Sequence, residues 1–323
     1  MPCENEISKV FGLPKEVSLL FKLFLSDSEI SALLALSNLN REREDQKNAD
    51  FSFLEEFTDD FNLLLGKDLV YMVGETIILK KGIESLWALL LNAVGKNTYI
   101  LSSEFNSVKK FIRNYYLEAV KEDPDQYRIF PLREAFLPKY RSSENQDNIL
   151  ELLENAETIV QRPCRCREVF QNCLRPTNTC LVLNDPMSKE IEHGKAKFIT
   201  MGRAREILRS SLRNGNVLVL HNETPEDPKA RMELHSCCSC CSVLLGAIKD
   251  SAIGQAIQLP KLFAEVDPSK CNGCATCKEV CMFGARRLVG GVCYVDYSLC
   301  VGCGLCVPWC TEQAVRMVHK EAP

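Results

Sequence analysis

Cys271-Asn272-Gly273-Cys274-Ala275-Thr276-Cys277, with Cys281 four residues on, and Cys300-Val301-Gly302-Cys303-Gly304-Leu305-Cys306, with Cys310 four residues on, are two copies of one pattern, C-x2-C-x2-C-x3-C. Three thiolates on one tight loop reach three irons of a cubane, and a fourth must come from elsewhere in the chain. Gly273, Gly302 and Gly304 stand where such a loop has to curl through positive φ. The repeat extends beyond the cysteines. Val266-Asp267 precedes Cys271 as Val295-Asp296 precedes Cys300, and Ala285 and Arg287 answer to Ala314 and Arg316. A duplicated β-loop-α unit with pseudo-twofold symmetry is the economical reading. Zinc hooks are pairs of C-x2-C separated by longer spacers, and a triple hook with a fourth cysteine, twice over, has no zinc equivalent.

Across about residues 262–319 the sequence resembles the two-[4Fe-4S] bacterial ferredoxin family. In such two-cluster proteins the fourth ligand of each cluster comes from the other motif. That crossing assigns Cys271, Cys274, Cys277 and Cys310 to one [4Fe-4S] cluster, and Cys300, Cys303, Cys306 and Cys281 to the other. The family has proline after the fourth cysteine, whereas Met282 and Thr311 stand here. The difference bears on cluster potential and local rigidity and leaves ligation untouched.

The other cysteines form two groups upstream: Cys164, Cys166, Cys173 and Cys180, then Cys237, Cys238, Cys240 and Cys241. Setting aside Cys3 and Cys293 leaves sixteen of 18, enough for four four-thiolate sites. Cys293 matches Ala264 in the repeat and reads as a small buried residue, and Cys3 falls in a terminus expected to be mobile. One or two further iron–sulfur clusters shared between the upstream groups are expected, with zinc or metal-free dithiol chemistry as the alternatives. Arg162, Arg165, Arg167, Arg175, Lys195, Lys197, Arg203, Arg205, Arg209 and Arg213 crowd this region. They would favour the extra negative charge of a reduced cluster, or form a docking face for an acidic redox partner. On residues 203–213 they read equally well as the solvated face of a helix. The order of CxCR segment, basic helix, strand 217–221, CCxCC segment and ferredoxin tail resembles, over about residues 145–323, a group of 4Fe-4S dicluster-domain proteins of anaerobic bacteria and archaea. The resemblance implies electron transfer and names no substrate.

Length and composition set the frame. A chain of 323 residues is long enough for two or three domains with ordinary cores, so small size is not why it carries 18 cysteines. The N-terminus lacks the basic start and apolar stretch of a secretory signal, and no run reaches the roughly 18 apolar residues of a membrane span. A cytoplasmic protein is expected, and in that compartment thiols stay reduced and metal binding leads. Residues 1–150 carry 18 Lys and Arg against 24 Asp and Glu, and the remainder 21 against 19.

In the acidic front half, residues 16–25, 28–39 and 51–65 have apolar residues at helical spacing, and Ser26-Asp27-Ser28-Glu29 is a capping box. Strands at 69–73 and 76–79 flank Gly74-Glu75, which completes the order of a winged helix. The acidic helices oppose DNA binding, so dimerisation or partner docking is the expected use. Helices follow at 83–95, 104–121 and 146–160, with Pro124, Pro131 and Pro138 marking a connector.

The expected fold class is α+β: a helical, winged-helix-like domain over 1–142, a cysteine-rich α/β module over 143–258, and a bacterial ferredoxin-like domain over 259–323. His193, His221, His235 and His319 show no metal-ligand spacing to one another, and His235 could stand in for a thiolate or act as a hydrogen-bonding group. No phosphate-binding glycine motif, flavin motif or nucleophile–base pair is readable, and catalytic residues are not assigned. The expected function is a multi-cluster electron carrier or the electron-transfer subunit of a redox complex, its partners redox proteins, with self-association through the N-terminal domain. The alternatives are a reductase with a substrate-accessible cluster in the 164–241 module and a redox-sensing regulator whose front half binds nucleic acid.

Overall fold

The computed structural model describes residues 4–44, 57–67, 69–73, 76–79, 82–95, 102–131, 149–186, 191, 194–225, 227, 229–250, 257, 259–260 and 262–319. It is an α+β chain of two compact units that divide between Tyr115 and Tyr116.

In the first unit, apolar residues at helical spacing build α1 (Glu4–Phe11), α2 (Lys15–Phe24) and α3 (Asp27–Glu44), followed by α4 (Thr58–Gly66). The hairpin β1 (Val70–Val73) and β2 (Thr76–Leu79) pairs Val70 with Leu79, and α5 (Gly82–Gly95) follows, then α6 (Ser102–Glu122), within which the division between the units falls. The capping box closes as the sequence requires: the Glu29 N–H donates to Ser26 Oγ at 3.1 Å, and the Ser26 N–H to Glu29 Oε2 at 2.8 Å. Lys67 pairs with the same carboxylate and ties the end of α4 to the start of α3. Phe21, Leu33, Leu64, Leu86, Trp87 and Leu90 are buried. The apolar run in α5 is thus core, and among the described residues no helix is long and apolar enough to cross a membrane. Helix α1, unanticipated, forms because Ile7, Val10 and Phe11 bury one face and Phe11 stacks on Phe21 at 4.0 Å. Cys3, residues 51–56 and the Gly74-Glu75 turn lie outside the described residues, as does the expected boundary at 142/143.

The second unit is built on a six-stranded sheet of β3 (Tyr127–Phe130), β4 (Ile159–Arg162), β5 (Cys180–Leu183), β6 (Lys197–Phe198), β7 (Val217–Asn222) and β8 (Met232–Cys237). Its order is β3-β7-β8-β5-β4-β6, and every pairing is antiparallel. Residues 127–130, N-terminal to the expected boundary, are therefore an edge strand of this sheet. The helix expected over 146–160 is shorter: α7 spans Ile149–Asn155, and β-branched Ile159 and Val160 pair with Leu183 and Val182 in β5 instead. Helix α8 (Arg165–Phe170) follows β4. The basic segment forms α9 (Met201–Arg213), capped by Thr200, whose Oγ1 accepts from the Arg203 N–H. Its Ala204, Ile207 and Leu208 join Leu181, Leu183, Leu218, Leu220 and Leu234 in the core, together with α10 (Val243–Asp250). On its outer face Arg203 pairs with Glu206 and Arg205 with Glu154, while Arg209 and Arg213 are exposed.

Two small antiparallel sheets close the chain. β9 (Leu262–Val266) pairs with β12 (Val315–His319), and β10 (Arg286–Val289) with β11 (Val292–Val295), with α11 (Thr276–Glu279) between β9 and β10. Phe283, Val301 and Leu305 enter the same apolar cluster as Leu244 and Ile248, so the second cysteine loop packs against the middle module.

Candidate metal centres

The tail repeats its backbone as well as its sequence. The Asp267 N–H donates to the Ala314 carbonyl at 2.7 Å, and the Asp296 N–H to the Ala285 carbonyl at 2.8 Å. Each Asp side chain then accepts from a serine N–H two residues on, Ser269 at 3.0 Å and Ser298 at 3.1 Å. Positive φ recurs at matched positions: 73° at Gly273 and 69° at Gly302, 63° at Ala275 and 70° at Gly304, 71° at Gly284 and 53° at Gln313. A Cβ on Gly273 would sit 2.3 Å from the Gly291 carbonyl oxygen, and one on Gly302 would sit 2.2 Å from that of Leu262. Gly291 and Leu262 are themselves matched in the repeat, so each loop rests on the strand start of the other half.

These loops frame two cavities that are open to solvent. One is lined by Cys271, Cys274, Cys277 and Cys310, the other by Cys281, Cys300, Cys303 and Cys306. Each therefore receives three thiols from one motif and the fourth from the other. Donors are already aimed at the sulfurs: the Cys293 N–H at Cys271 Sγ (3.4 Å), the Ala314 N–H at Cys310 Sγ (3.2 Å) and Arg286 Nη2 at Cys306 Sγ (2.7 Å). Burial pushes the Cys306 thiol up to about 11 and raises Cys303 still further. In the metal-free chain these groups are protonated at neutral pH, so loading a thiophilic metal releases protons. Four converging thiols, N–H groups directed at sulfur and a space between them fit a [4Fe-4S] group.

The halves differ at two points. Arg286 is 3% exposed beside Cys306, and its repeat counterpart is Val315. Burial opposes its charge, yet the facing Cys306, Cys277 and Cys293 raise its pKa. Cys293 is buried as expected, but its Sγ lies 3.3 Å from Cys277 Sγ and lines the first cavity. Its signal was the mismatch with Ala264 in the repeat.

Upstream, the structure sorts the eight cysteines into three settings. Cys173, Cys238, Cys240 and Cys241 gather with all four sulfurs within 4.8 Å of one another. Asn172 holds the two loops together by donating to the Cys240 carbonyl at 3.0 Å. Cys164 hydrogen-bonds to Cys166 and Cys180, and the bond to Cys166, with burial, pushes it up to about 12. Cys180 also contacts His235, and its bond to Cys164 together with burial drives its pKa well up. Cys237 stands apart in the apolar core beside Ser242, pushed up to about 12 by burial.

Strand register carries a further constellation that no sequence spacing announced. Arg162, Cys180, Glu233, His235, His221 and Tyr127 alternate onto one face of the sheet. Ligand atoms of His221, Glu233 and His235 lie within 4.8 Å of one another. Glu233 pairs with Arg162, with Arg231 at 2.6 Å and with His235 at 3.3 Å, while His221 stacks on Tyr127 at 4.7 Å. Burial opposes the charge of Glu233, but Arg162, His235, Arg231 and Arg165 hold its carboxyl well below the usual range. Burial, with Arg231 and Arg162, lowers the pKa of His221. Three guanidiniums around one carboxylate repel a cation, so this face is an ion-pair network rather than a metal site. His193 lies outside the described residues, and His319 ends β12 opposite Leu262.

A family model described as a 4Fe-4S binding domain matches residues 263–285, the span of the first cysteine motif. No curated protein and no solved structure matches the chain. With the thiol-lined cavities, the match makes this an iron–sulfur protein.

Proposed function

We propose that the chain is an electron-transfer protein, or the electron-transfer subunit of a redox complex, holding two [4Fe-4S] clusters in a tail that resembles the two-cluster bacterial ferredoxins. The observation that carries this reading is the pair of cavities, each lined by three thiols of one motif and one of the other. A bound [4Fe-4S] group supplies one-electron chemistry. Cys271, Cys274, Cys277 and Cys310 would hold one, and Cys300, Cys303, Cys306 and Cys281 the other. Cys274 is exposed and Trp309 is 42% exposed at the rim of the first cavity, which suits docking of a redox partner there. The second cavity faces the middle module through Val301 and Leu305. Anaerobically purified protein is expected to contain about eight irons and about eight acid-labile sulfides per chain in this tail. A fully loaded preparation with fewer of either would overturn the two-cluster reading.

Arg286 distinguishes the two sites. A buried guanidinium against Cys306 favours added negative charge in the second cavity, while Val315 offers none in the first. Arg286→Leu is expected to lower the midpoint potential of one cluster by on the order of 60 mV, the equivalent of about 1.4 kcal/mol for one electron. The other cluster should move far less, and Arg286→Lys should recover part of the difference. An EPR-monitored redox titration reads both potentials, and equal shifts, or none, would rule out this role.

A further inference from the structure

We propose that Cys173, Cys238, Cys240 and Cys241 form a closed tetrahedral site for a single zinc ion, separate from the clusters of the tail. Four sulfurs at about 2.3 Å from one zinc stand about 3.8 Å apart at the corners of a tetrahedron. Here Cys173 Sγ and Cys241 Sγ are 3.8 Å apart, and Cys241 Sγ and Cys240 Sγ 3.9 Å. All four lie within 4.8 Å of one another.

A cubane spaces its thiolates differently, because each binds a different iron at a different corner with the inorganic core between them. The tail provides the contrast inside the same chain. Its thiols are spread around two open cavities, and among the described residues no three of those eight are gathered within 4.8 Å.

The surroundings suit a structural ion. Cys238 and Cys241 are buried, at 1% and 0% exposure, and four thiolates fill the tetrahedron without leaving a position for substrate. Zinc with four thiolates carries net negative charge, and buried Arg167 hydrogen-bonds to Cys238 while donating to the Ser236 carbonyl at 2.9 Å. The ion would fasten the loop after α8 to the turn after β8, two segments far apart in the chain that Asn172 already joins.

The inference does not depend on the electron-transfer reading, and metal analysis separates the two. Full-length protein purified without oxygen is expected to carry about one zinc per chain in addition to its iron and sulfide, with a zinc-edge X-ray absorption spectrum of four sulfurs at about 2.3 Å. Cys173→Ser/Cys240→Ser should lower zinc at least tenfold while iron, sulfide and visible absorption stay at wild-type levels. About twelve irons and twelve sulfides in the parent, with about four of each lost in the variant, would overturn the proposal in favour of a third cubane. Nine irons with no zinc, or zinc unchanged in the variant, would also overturn it. Should the variant fail to fold, the parent protein decides: a sulfur-only zinc shell supports the site, and a shell containing nitrogen or oxygen, or no zinc, refutes it. An iron count below eight would bear on the tail alone.

Discussion

Gly302→Ala is expected to strip the second cavity of its metal and reduce total tail iron from about eight to about four per chain. The backbone there has φ of 69°, which costs an L-residue with a Cβ about 1–2 kcal/mol. The larger obstacle is contact. The new Cβ would lie 2.2 Å from the Leu262 carbonyl oxygen and 2.7 Å from Pro260 Cγ. Leu262 opens β9 and is paired with His319, so the carbonyl cannot retreat without opening the β9–β12 sheet. The loop must move instead, and it carries Cys300 and Cys303 on either side of the substitution. Overpacking of this kind adds about 1–3 kcal/mol even where neighbours can yield. Gly284→Ala is the control: its φ is 71°, but nothing lies within 4 Å of the added Cβ, and its repeat counterpart Gln313 already bears a side chain at φ 53°. That variant should keep its full iron and sulfide content. Gly302→Ala protein with undiminished iron, sulfide and visible absorption would contradict the close approach on which the loop geometry rests.

The thiol-lined cavities of the tail were legible because their cysteines are local. Three cysteines within seven residues report one loop, and the repeat of Asp267 at Asp296 and of Ala285 at Ala314 reports the symmetry by which each cavity is lined by one cysteine of the other motif. The capping box at Ser26 and Glu29 and the apolar spacing of α2, α3 and α5 are local in the same sense. The upstream thiols are not. Cys173 meets Cys238, Cys240 and Cys241 only after the sheet brings the loop behind α8 against the turn behind β8, and sequence spacing carries no record of that closure. Cys237, although adjacent to Cys238, is packed in the apolar core instead of joining that group. Alternation along the strands hid the polar sheet face. His221 and Glu233 are directly opposed across β7 and β8, and Arg162 lies opposite Cys180 on β4 and β5, so their association is a property of register. Residues 159 and 160 were misjudged as a helix end because apolar periodicity from α7 runs into them, whereas pairing with β5 decides their state.

That polar face should be a main source of stability in the second unit, and Glu233→Gln should expose it. Glu233 is held by Arg162, Arg231 and Arg165, while Asp185 pairs with Arg231 alone at 3.2 Å, and Arg162 is itself only 4% exposed. The amide preserves shape but removes the charge that pairs with the buried Arg162 guanidinium, a loss of about 3–5 kcal/mol for a broken buried pair. For a unit of this size the apparent Tm should fall by roughly 10 °C. The pH dependence has a definite sign. The folded pKa of Glu233 is well below the ordinary value of 4.5, so the unfolded chain takes up this proton first as the medium is acidified. The contribution of Glu233 is complete above that ordinary value and is lost as pH falls toward the folded one. The part of the gap between parent and variant that comes from Glu233's own titration should therefore be constant above pH 5 or so and narrow by about 1.4 kcal/mol per unit below 4.5. Replacing both partners, as in Arg162→Met/Glu233→Met, removes the unpaired charge along with the pair and should restore much of the lost stability. Urea unfolding of the metal-loaded protein at several pH values, followed by far-ultraviolet circular dichroism, measures the parent and both variants. A Glu233→Gln deficit below about 1 kcal/mol at pH 7, the range of an exposed pair, would mean that solvent already screens the network.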